Sequence, residues 1–341
     1  MDVSQFRHLA SVDVGSHTTR MVVARMRDRE LSPVRIERRV TRLAQGFQGT
    51  REILPEAMDR TIDALREYRD IMNGYRVQCI ACGATGVARR AGNSAGFLKK
   101  AADETGMTLA VLSEDREAFL SAKGVLSVLP RRGSDFLCFD IGGGSTEFLL
   151  ARSEMREPAW SGSMPVGAAT ITQSFLAADP PLHERVRQAS AFAETNVLRL
   201  KEKMLSSLPG QYTPSHAPLE LAGTAGTVTT LAAMHLKMAE YVPYRVNGLV
   251  LEKEWIDQMV AAMTTMANAR RRSIPGLEPG REDIILGGAI IVCQILACFS
   301  RERFTAADAG LLEGMVIELA EKQSGLSGGL TTSLTWRTQT G

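Results

Sequence analysis

Two short segments of this 341-residue chain share one pattern, in which an apolar run ends at an aspartate followed by glycine and serine. They are residues 11–16 and residues 139–147. The apolar, β-type runs predict strands, and the glycines predict a tight turn after each. Each segment should therefore place a carboxylate at a strand tip beside backbone N–H groups. Two such segments favour a duplicated three-stranded scaffold whose two hairpin turns face each other across a cleft and grip a phosphate chain.

The residue types in these turns suit a phosphate ligand. Glycine lets the backbone approach closely, successive N–H groups form a nest for anionic oxygens, and hydroxyl groups add donors. Carboxylates are the hard ligands that Mg²⁺ prefers when it also binds phosphate, so Mg²⁺ is the expected cofactor. The predicted metal ligands are Asp13, Asp140 and Glu147. The predicted phosphate contacts are Gly15, Ser16, Gly142, Gly143, Gly144, Ser145 and Thr146.

A third glycine-rich turn, residues 222–227, follows a predicted strand at 219–222. A helix beginning near Val228 would aim its first N–H groups and the positive end of its dipole at this turn. The sequence therefore predicts a third anion contact. Its residues are Gly223, Thr224, Gly226 and Thr227.

Composition excludes several classes of partner. The chain is 44% hydrophobic and 23% charged with a net charge of +2, which gives no basic surplus typical of nucleic-acid binding. The most apolar run, residues 284–299, is too short for a membrane span and predicts a buried helix. Five cysteines and no secretory leader favour a reducing, cytoplasmic setting. Cys79 and Cys82 form a CxxC in an alternating segment that predicts a buried strand rather than a zinc site.

Alternating strand and helix patterns predict an α/β chain of two lobes, residues 1–130 and 131–323. The second lobe repeats the opening order of strands, with the less regular segment 155–161 as its third strand and a helix at 311–323 closing it. The Gly/Ser/Thr-rich tail at 324–341 is expected to be disordered, with Trp336 resting on the surface.

Six segments together resemble the exopolyphosphatase and guanosine pentaphosphate phosphatase family, a branch of the actin, sugar-kinase and heat-shock ATPase superfamily. They are residues 13–20, 84–93, 112–118, 140–147, 223–227 and 308–314. The resemblance implies a two-lobed actin-like (ribonuclease H-like) ATPase fold with a duplicated mixed sheet and an interlobe cleft. It also implies Mg²⁺-dependent release of a terminal phosphate, from inorganic polyphosphate or from the 5′ γ-position of guanosine pentaphosphate.

The same resemblance implies roles for individual residues. Glu117 would be the catalytic base that orients a water, and Arg89 would bind the transferring phosphoryl group through its planar fork. Arg20 would reach the phosphates from the strand after the first turn. The neighbouring Arg90 is expected on the surface, and Asn93 is expected to cap the helix that starts at residue 94 or to hold the Arg89 loop.

Two departures from the family pattern keep other functions open. His17-Thr18 stands where the family has Asn-Ser, and Leu312 stands where it has arginine. These departures suggest as one alternative a non-catalytic sensor of polyphosphate or guanosine tetraphosphate. The other alternative is a phosphotransferase of the sugar- or acetate-kinase type, which shares the scaffold. The sequence separates neither polyphosphate from the guanosine nucleotide nor a monomer from a homodimer.

Overall fold

A computed structural model describes residues 7–129, 135–151, 157–208, 219–326 and 328–336. The chain divides into two compact units. Unit 1 contains residues 1–127 and 310–341, and unit 2 contains residues 128–309.

The elements are numbered along the chain. The strands are β1 (Arg7–Val14), β2 (Thr18–Arg27), β3 (Glu30–Val40), β4 (Cys79–Ala84), β5 (Ala110–Val111), β6 (Phe136–Ile141), β7 (Thr146–Ala151), β8 (Trp160–Met164), β9 (Glu220–Thr224), β10 (Leu249–Glu252), β11 (Arg303–Ala306) and β12 (Thr335–Trp336). The helices are α1 (Phe47–Thr50), α2 (Pro55–Gly74), α3 (Val87–Arg90), α4 (Ser94–Thr105), α5 (Glu114–Val128), α6 (Ala168–Phe175), α7 (His183–Ser207), α8 (Ala225–His235), α9 (Pro243–Val246), α10 (Lys253–Thr264), α11 (Asn268–Arg271), α12 (Ile285–Cys298) and α13 (Leu311–Gln323).

Each unit contains a six-stranded mixed sheet, and five strands of the two sheets share one order. That order is β3-β2-β1-β4-β5 in unit 1 and β8-β7-β6-β9-β11 in unit 2. The sixth strand differs, because β12 is added beside β3 and β10 is added beside β11. In both sheets a three-stranded antiparallel meander is extended by parallel strands, with β1 beside β4 and β6 beside β9. The predicted α/β class with a duplicated mixed sheet is confirmed.

In unit 1 the two faces of β1 have different neighbours. Ala10, Val12 and Val14 belong to the core that also contains Tyr68 of α2. The alternate residues face α13, where the hydroxyl of Ser11 donates to the carbonyl of Leu312 at 2.6 Å. Because side chains alternate along a strand, Asp13 lies on the α13 face.

In unit 2 the core is dominated by aromatic and branched side chains. Phe139 and Phe304 pack with ring centroids 5.3 Å apart. Most residues of α12 are buried, as predicted for the apolar run at 284–299. Within the described ranges, no helix has the length and apolarity needed to cross a membrane.

The C-terminal region differs from the sequence-based expectation. Helix α13 packs on β1, β2 and β4 of unit 1, although its sequence position suggested that it closes the second lobe. Strand β12 pairs in parallel with β3, and Trp336 is buried rather than resting on the surface. The expectation of disorder was wrong for β12 because this long-range pairing leaves no trace in a Gly/Ser/Thr-rich composition. Residues 327 and 337–341 lie outside the described residues.

The third strand of unit 2 also differs. The sequence suggested residues 155–161, whereas β8 covers Trp160–Met164 and residues 152–156 lie outside the described ranges. The antiparallel register Glu147↔Ser163 places the end of β8 beside the start of β7.

Candidate active site

The first glycine-serine turn contacts the segment that carries Arg89. The N–H of Gly15 donates to the carbonyl of Thr18 at 3.0 Å, and this hydrogen bond closes the turn. Ser16 Oγ accepts the N–H of Val87 at 3.1 Å. Gly86 has φ of +54°, and a β-carbon there would lie 2.3 Å from Ser16 Oγ. Glycine is therefore required at Gly86, and Ser16 supplies an acceptor at the start of α3.

The structure brings the two predicted catalytic residues together. Arg89 Nη1 donates to Glu117 Oε2 at 2.9 Å and to the carbonyl of Leu112 at 2.8 Å. Arg89 Nη2 also lies 3.3 Å from Glu114 Oε1. The Arg89 and Glu117 side chains are both partly exposed, so a ligand can reach them. The neighbouring Arg90 is exposed, as predicted.

Asn93 does not cap α4. Its side-chain oxygen accepts the N–H of Ile53 at 2.9 Å, and its side-chain nitrogen donates to the carbonyl of Ile53 at 2.9 Å. The capping prediction was wrong because this two-way contact with the backbone before α2 uses both ends of the amide. Asn93 instead ties the segment after α3 to residue 53.

Asp13 and Arg20 are direct cross-strand partners on β1 and β2. Arg20 Nη2 donates to Asp13 Oδ2 at 2.9 Å. Asp13 is only 6% exposed, and its other oxygen, Oδ1, is buried without a hydrogen-bond partner among the described residues. A buried carboxylate oxygen is costly unless it is satisfied, so this oxygen fits a cation ligand.

Glu313 is a site residue that sequence reasoning missed. It is buried at the start of α13, where Oε2 accepts the N–H of Gly310 at 2.8 Å. Burial raises the pKa of Glu313 above its usual range, while the nearby charge of Arg20 lowers it and that of Asp13 raises it. The sequence evidence that could have identified it is its position in the 308–314 segment, one of the six segments of the family resemblance. Leu312 beside it is buried, so this departure from the family pattern lies in a packing position.

Helix α5, which carries Glu117, packs closely against α13. A β-carbon on Gly314 would lie 1.8 Å from the carbonyl oxygen of Leu120, and one on Gly124 would lie 2.0 Å from that of Gly310. Two ion pairs continue this contact, Arg116–Glu318 and Lys123–Glu321. Helix α13 therefore contacts both the helix of Glu117 and the strands of Asp13 and Arg20.

In unit 2 the second turn places two carboxylates opposite each other. Asp140 and Glu147 are direct partners on β6 and β7, so their side chains leave the same face of the sheet. Glu147 Oε1 accepts hydroxyl hydrogen bonds from Ser145 at 2.5 Å and Ser163 at 3.3 Å. This donor set fits Mg²⁺, which is commonly held by one or two carboxylates together with phosphate. Across the residues described, no group of three or more His, Cys, Asp or Glu side chains forms a ready metal site.

The second turn also contacts the start of α6. The N–H groups of Ala168 and Ala169 donate to the carbonyls of Gly142 and Gly143 at 2.9 and 2.8 Å. Gly143 and Gly144 are exposed, which leaves the outer side of the turn open. Thr146 is buried, and its hydroxyl donates to the carbonyl of Val166 at 2.7 Å. The Thr146 side chain therefore supports the turn, and the predicted phosphate contact of this residue stays a prediction.

The third turn is mostly buried. The hydroxyl of Thr224 donates to the carbonyl of Ala309 at 2.9 Å, and the Thr227 side chain is buried. A β-carbon on Gly223 would collide with the ring of Phe139 at 2.7 Å. The side chains of Thr224 and Thr227 therefore pack within unit 2, and the phosphate contacts predicted for Gly223, Thr224 and Thr227 stay predictions. Helix α8 starts at residue 225, three positions earlier than the sequence predicted.

An arginine side chain, which also pairs with Glu278, lies against Gly226. A β-carbon there would lie 2.3–2.5 Å from the guanidinium atoms of Arg281, so that guanidinium lies directly against the first turn of α8. Ala225 adopts φ of +67°, an uncommon conformation for a residue with a β-carbon. Arg281 was missed because it is distant in sequence from the turn and belongs to none of the six segments.

The chain belongs to the Ppx/GppA phosphatase family, whose model matches residues 22–323. It is 30% identical to Exopolyphosphatase 2 of Mycobacterium tuberculosis over 92% of this chain and 98% of that protein. It is also 30% identical to the bifunctional 3-dehydroquinate synthase/phosphatase of Fusobacterium nucleatum, over 92% of this chain, which spans only 47% of that relative. The crystal structure of the Aquifex aeolicus member of the Ppx/GppA family matches with a TM-score of 0.82 and 26% identity, over 93% of this chain and 99% of that one. The predicted family resemblance is confirmed.

Proposed function

We propose that this protein is a Mg²⁺-dependent phosphohydrolase that releases the terminal phosphate of inorganic polyphosphate. The observation that carries the proposal is the contact between Arg89 and Glu117, which joins a phosphate-binding cation to a carboxylate base in unit 1. Membership of the Ppx/GppA phosphatase family supports a hydrolase. The similarity to an exopolyphosphatase along nearly the full length of both chains supports polyphosphate as the substrate.

Arg89 and Glu117 divide the chemistry between them. The guanidinium of Arg89 binds two oxygens of the terminal phosphoryl group and offsets the charge that builds up as the bond to the next phosphate breaks. Glu117 orients a water molecule and accepts its proton as the water oxygen bonds to phosphorus. The shortened chain leaves with the electrons of the broken P–O bond. Because Arg89 Nη1 already donates to Glu117, a bound phosphate competes for that donor and leaves the carboxylate able to act on water.

Mg²⁺ is part of the proposal. Asp13, with its unsatisfied Oδ1, is proposed as a Mg²⁺ ligand in unit 1, and the cross-strand carboxylates Asp140 and Glu147 are proposed as Mg²⁺ ligands in unit 2. When bound, the ion neutralises phosphate charge in the reaction. The backbone of Gly142, Gly143 and Gly144, of which the last two residues are exposed, is proposed to bind phosphate oxygens in unit 2.

The 5′ γ-phosphate of guanosine pentaphosphate is a further candidate substrate, because it presents the same terminal phosphoryl group and because the family description includes GppA. A cytoplasmic location is also proposed. Each of the five cysteines is a free thiol, as expected in a reducing compartment.

A phosphate-release panel tests these proposals. The purified chain is incubated with polyphosphates of several lengths, guanosine pentaphosphate and tetraphosphate, ATP and GTP, each with Mg²⁺ or with a chelator. Release from polyphosphate that requires Mg²⁺ is the expected result. Tight binding of phosphate chains without phosphate release would favour the sensor. ATP-dependent labelling of a small hydroxyl or carboxylate acceptor would favour the phosphotransferase. Either result would overturn the proposal that the protein is a hydrolase.

A further inference from the structure

We propose that Thr170 is a positioning residue for phosphate binding. Together with the first N–H groups of α6, it holds the carbonyls of the second turn, residues 142–145, so that the N–H groups of this turn are presented to phosphate oxygens. The inference rests on the proposed function, and it names a residue that lies in none of the six sequence segments.

Helix α6 binds three consecutive carbonyls of the second turn. Its first two N–H groups donate to the carbonyls of Gly142 and Gly143 at 2.9 and 2.8 Å. The third N–H, that of Thr170, also donates to Gly143 at 3.1 Å. The hydroxyl of Thr170 donates to the carbonyl of Gly144 at 3.2 Å. Thr170 therefore holds the third carbonyl of the series with its side chain.

The direction of these carbonyls determines the direction of the N–H groups that follow them. In a planar trans peptide, the N–H points opposite to the carbonyl of the preceding residue. The N–H groups of Gly143, Gly144 and Ser145 are therefore directed away from α6. Gly143 and Gly144 are exposed, so a ligand can approach this side of the turn. Three successive N–H groups on one open side form a nest that suits anionic oxygens.

The N–H of Gly142 has a different role. It donates to the carbonyl of Ser145 at 3.0 Å and closes the turn. The inference therefore narrows the proposed backbone contacts of the second turn to the N–H groups of Gly143, Gly144 and Ser145.

Helix α6 is itself fixed within unit 2. A β-carbon on Gly287 of α12 would lie 2.6 Å from the carbonyl oxygen of Ala168, and one on Gly167 would lie 2.5–2.6 Å from backbone atoms of the second turn. Ala168 is buried. The turn thus rests on a packed helix, so its N–H groups have their orientation before a ligand binds. Such preorganisation lowers the cost of binding.

Variants of two threonines in α6 test the inference. Thr170→Val removes the hydroxyl donor and keeps the shape of the side chain, whereas Thr170→Ser keeps the donor. Thr172→Val is the matched control, because the hydroxyl of Thr172 donates to the carbonyl of Ala168 within the same helix, at 2.9 Å. Binding of tripolyphosphate with Mg²⁺ is measured by calorimetry, with Glu117→Gln present in every protein to block turnover. KM and kcat for polyphosphate are measured in the otherwise unchanged chain.

We expect Thr170→Val to weaken tripolyphosphate binding about three- to tenfold, the loss typical of one hydrogen bond, and to raise KM by a similar factor with kcat unchanged. Thr170→Ser should bind tripolyphosphate like the wild type, and Thr172→Val should change neither affinity nor KM. Unchanged affinity in Thr170→Val, or equal losses in Thr170→Val and Thr172→Val, would overturn the inference.

Nuclear magnetic resonance of protein labelled with heavy nitrogen in its glycines reads the N–H groups directly. Tripolyphosphate should shift the amide proton signals of Gly143 and Gly144 more than that of Gly142, because the N–H of Gly142 already donates within the turn. A larger shift at Gly142 would overturn the inference.

The outcomes separate this inference from the proposed function. A wild-type chain that releases no phosphate, while the variants show the expected differences in binding, would refute the hydrolase and leave the role of Thr170 intact. Phosphate release by the wild type together with unchanged affinity in Thr170→Val would overturn the role of Thr170 and leave the hydrolase intact.

Discussion

Arg89 Nη1 lies 2.9 Å from Glu117 Oε2, and the same nitrogen donates to the carbonyl of Leu112 at 2.8 Å. The carbonyl contact fixes the guanidinium at the end of the segment that leads into α5, and the carboxylate contact fixes it against the first turns of that helix. A phosphoryl group that binds Arg89 is therefore delivered next to the proposed base. Phosphate binding and activation of Glu117 are thus expected to be coupled.

Glu117→Gln tests the base directly. The amide keeps the size of the side chain but cannot accept a proton from water, so phosphate release should fall about 10²- to 10⁴-fold. Glu114→Gln is the matched control, because Glu114 lies in the same helix end and only approaches Arg89 at 3.3 Å with a highly exposed side chain. Initial rates of phosphate release from polyphosphate are measured for both. A Glu117 variant as active as the control would remove Glu117 from the mechanism.

The sequence was most informative where local pattern determines local structure. The runs before Asp13 and Asp140 form strands, the turns after them are tight hairpins, and five strands of the two sheets share one order. These features follow from residue alternation and from glycine, both of which act over a few positions. The proximity of Arg89 and Glu117 was reached only through the family resemblance, since no local pattern joins residues 28 positions apart.

Long-range contacts account for the errors. Asn93 was expected to cap a helix, but its side-chain amide hydrogen-bonds to the backbone N–H and carbonyl of Ile53 instead. The hydroxyls of Thr146 and Thr224, which the sequence predicts as phosphate donors, donate to carbonyls of segments distant in sequence, and no local pattern indicates these contacts. The contact of α13 with β1 likewise depends on tertiary packing that no window of sequence reveals. Glu313 lies in the 308–314 segment of the family resemblance, but its burial near Arg20 and Asp13 depends on the same packing.

Asn93→Ala should destabilise the protein without touching the catalytic pair. It leaves the N–H and carbonyl of buried Ile53 without their partner, at a cost of about 1–3 kcal/mol for each unsatisfied group. The free energy of unfolding is measured by urea titration. Asn73→Ala, at an exposed position near the end of α2, is the control and should stay within about 0.5 kcal/mol of wild type. Equal stability of the two variants would show that the Ile53 contact contributes nothing.

Gly314→Ala should slow the reaction by displacing α5. Its new methyl group would lie 1.8 Å from the carbonyl oxygen of Leu120, so α5 must move away from α13 and carry Glu117 with it. A displacement of about 1 Å can cost about 100-fold in rate, so kcat for phosphate release should fall about 10- to 100-fold with KM nearly unchanged. Gly96→Ala in α4 is the control, because no described atom lies within 4 Å of its new methyl group. A folded Gly314 variant with wild-type kcat would show that the α5–α13 contact does not set the position of Glu117.

The ion pair between Lys123 and Glu321 should behave as a buried pair in unfolding experiments. The two charged groups are 2.8 Å apart and essentially unexposed, and Lys123 also donates to the carbonyl of Gly329. Lys123→Met or Glu321→Leu alone leaves one charge buried and should cost about 3–5 kcal/mol, whereas the double variant should be close to wild type or more stable. Lys322→Met removes an exposed partner of Glu318 and should change stability by less than about 1 kcal/mol. Urea unfolding of the four variants and the wild type measures their free energies of unfolding. If the loss of stability in the double variant equalled the sum of the two single losses, the two charges would not be coupled.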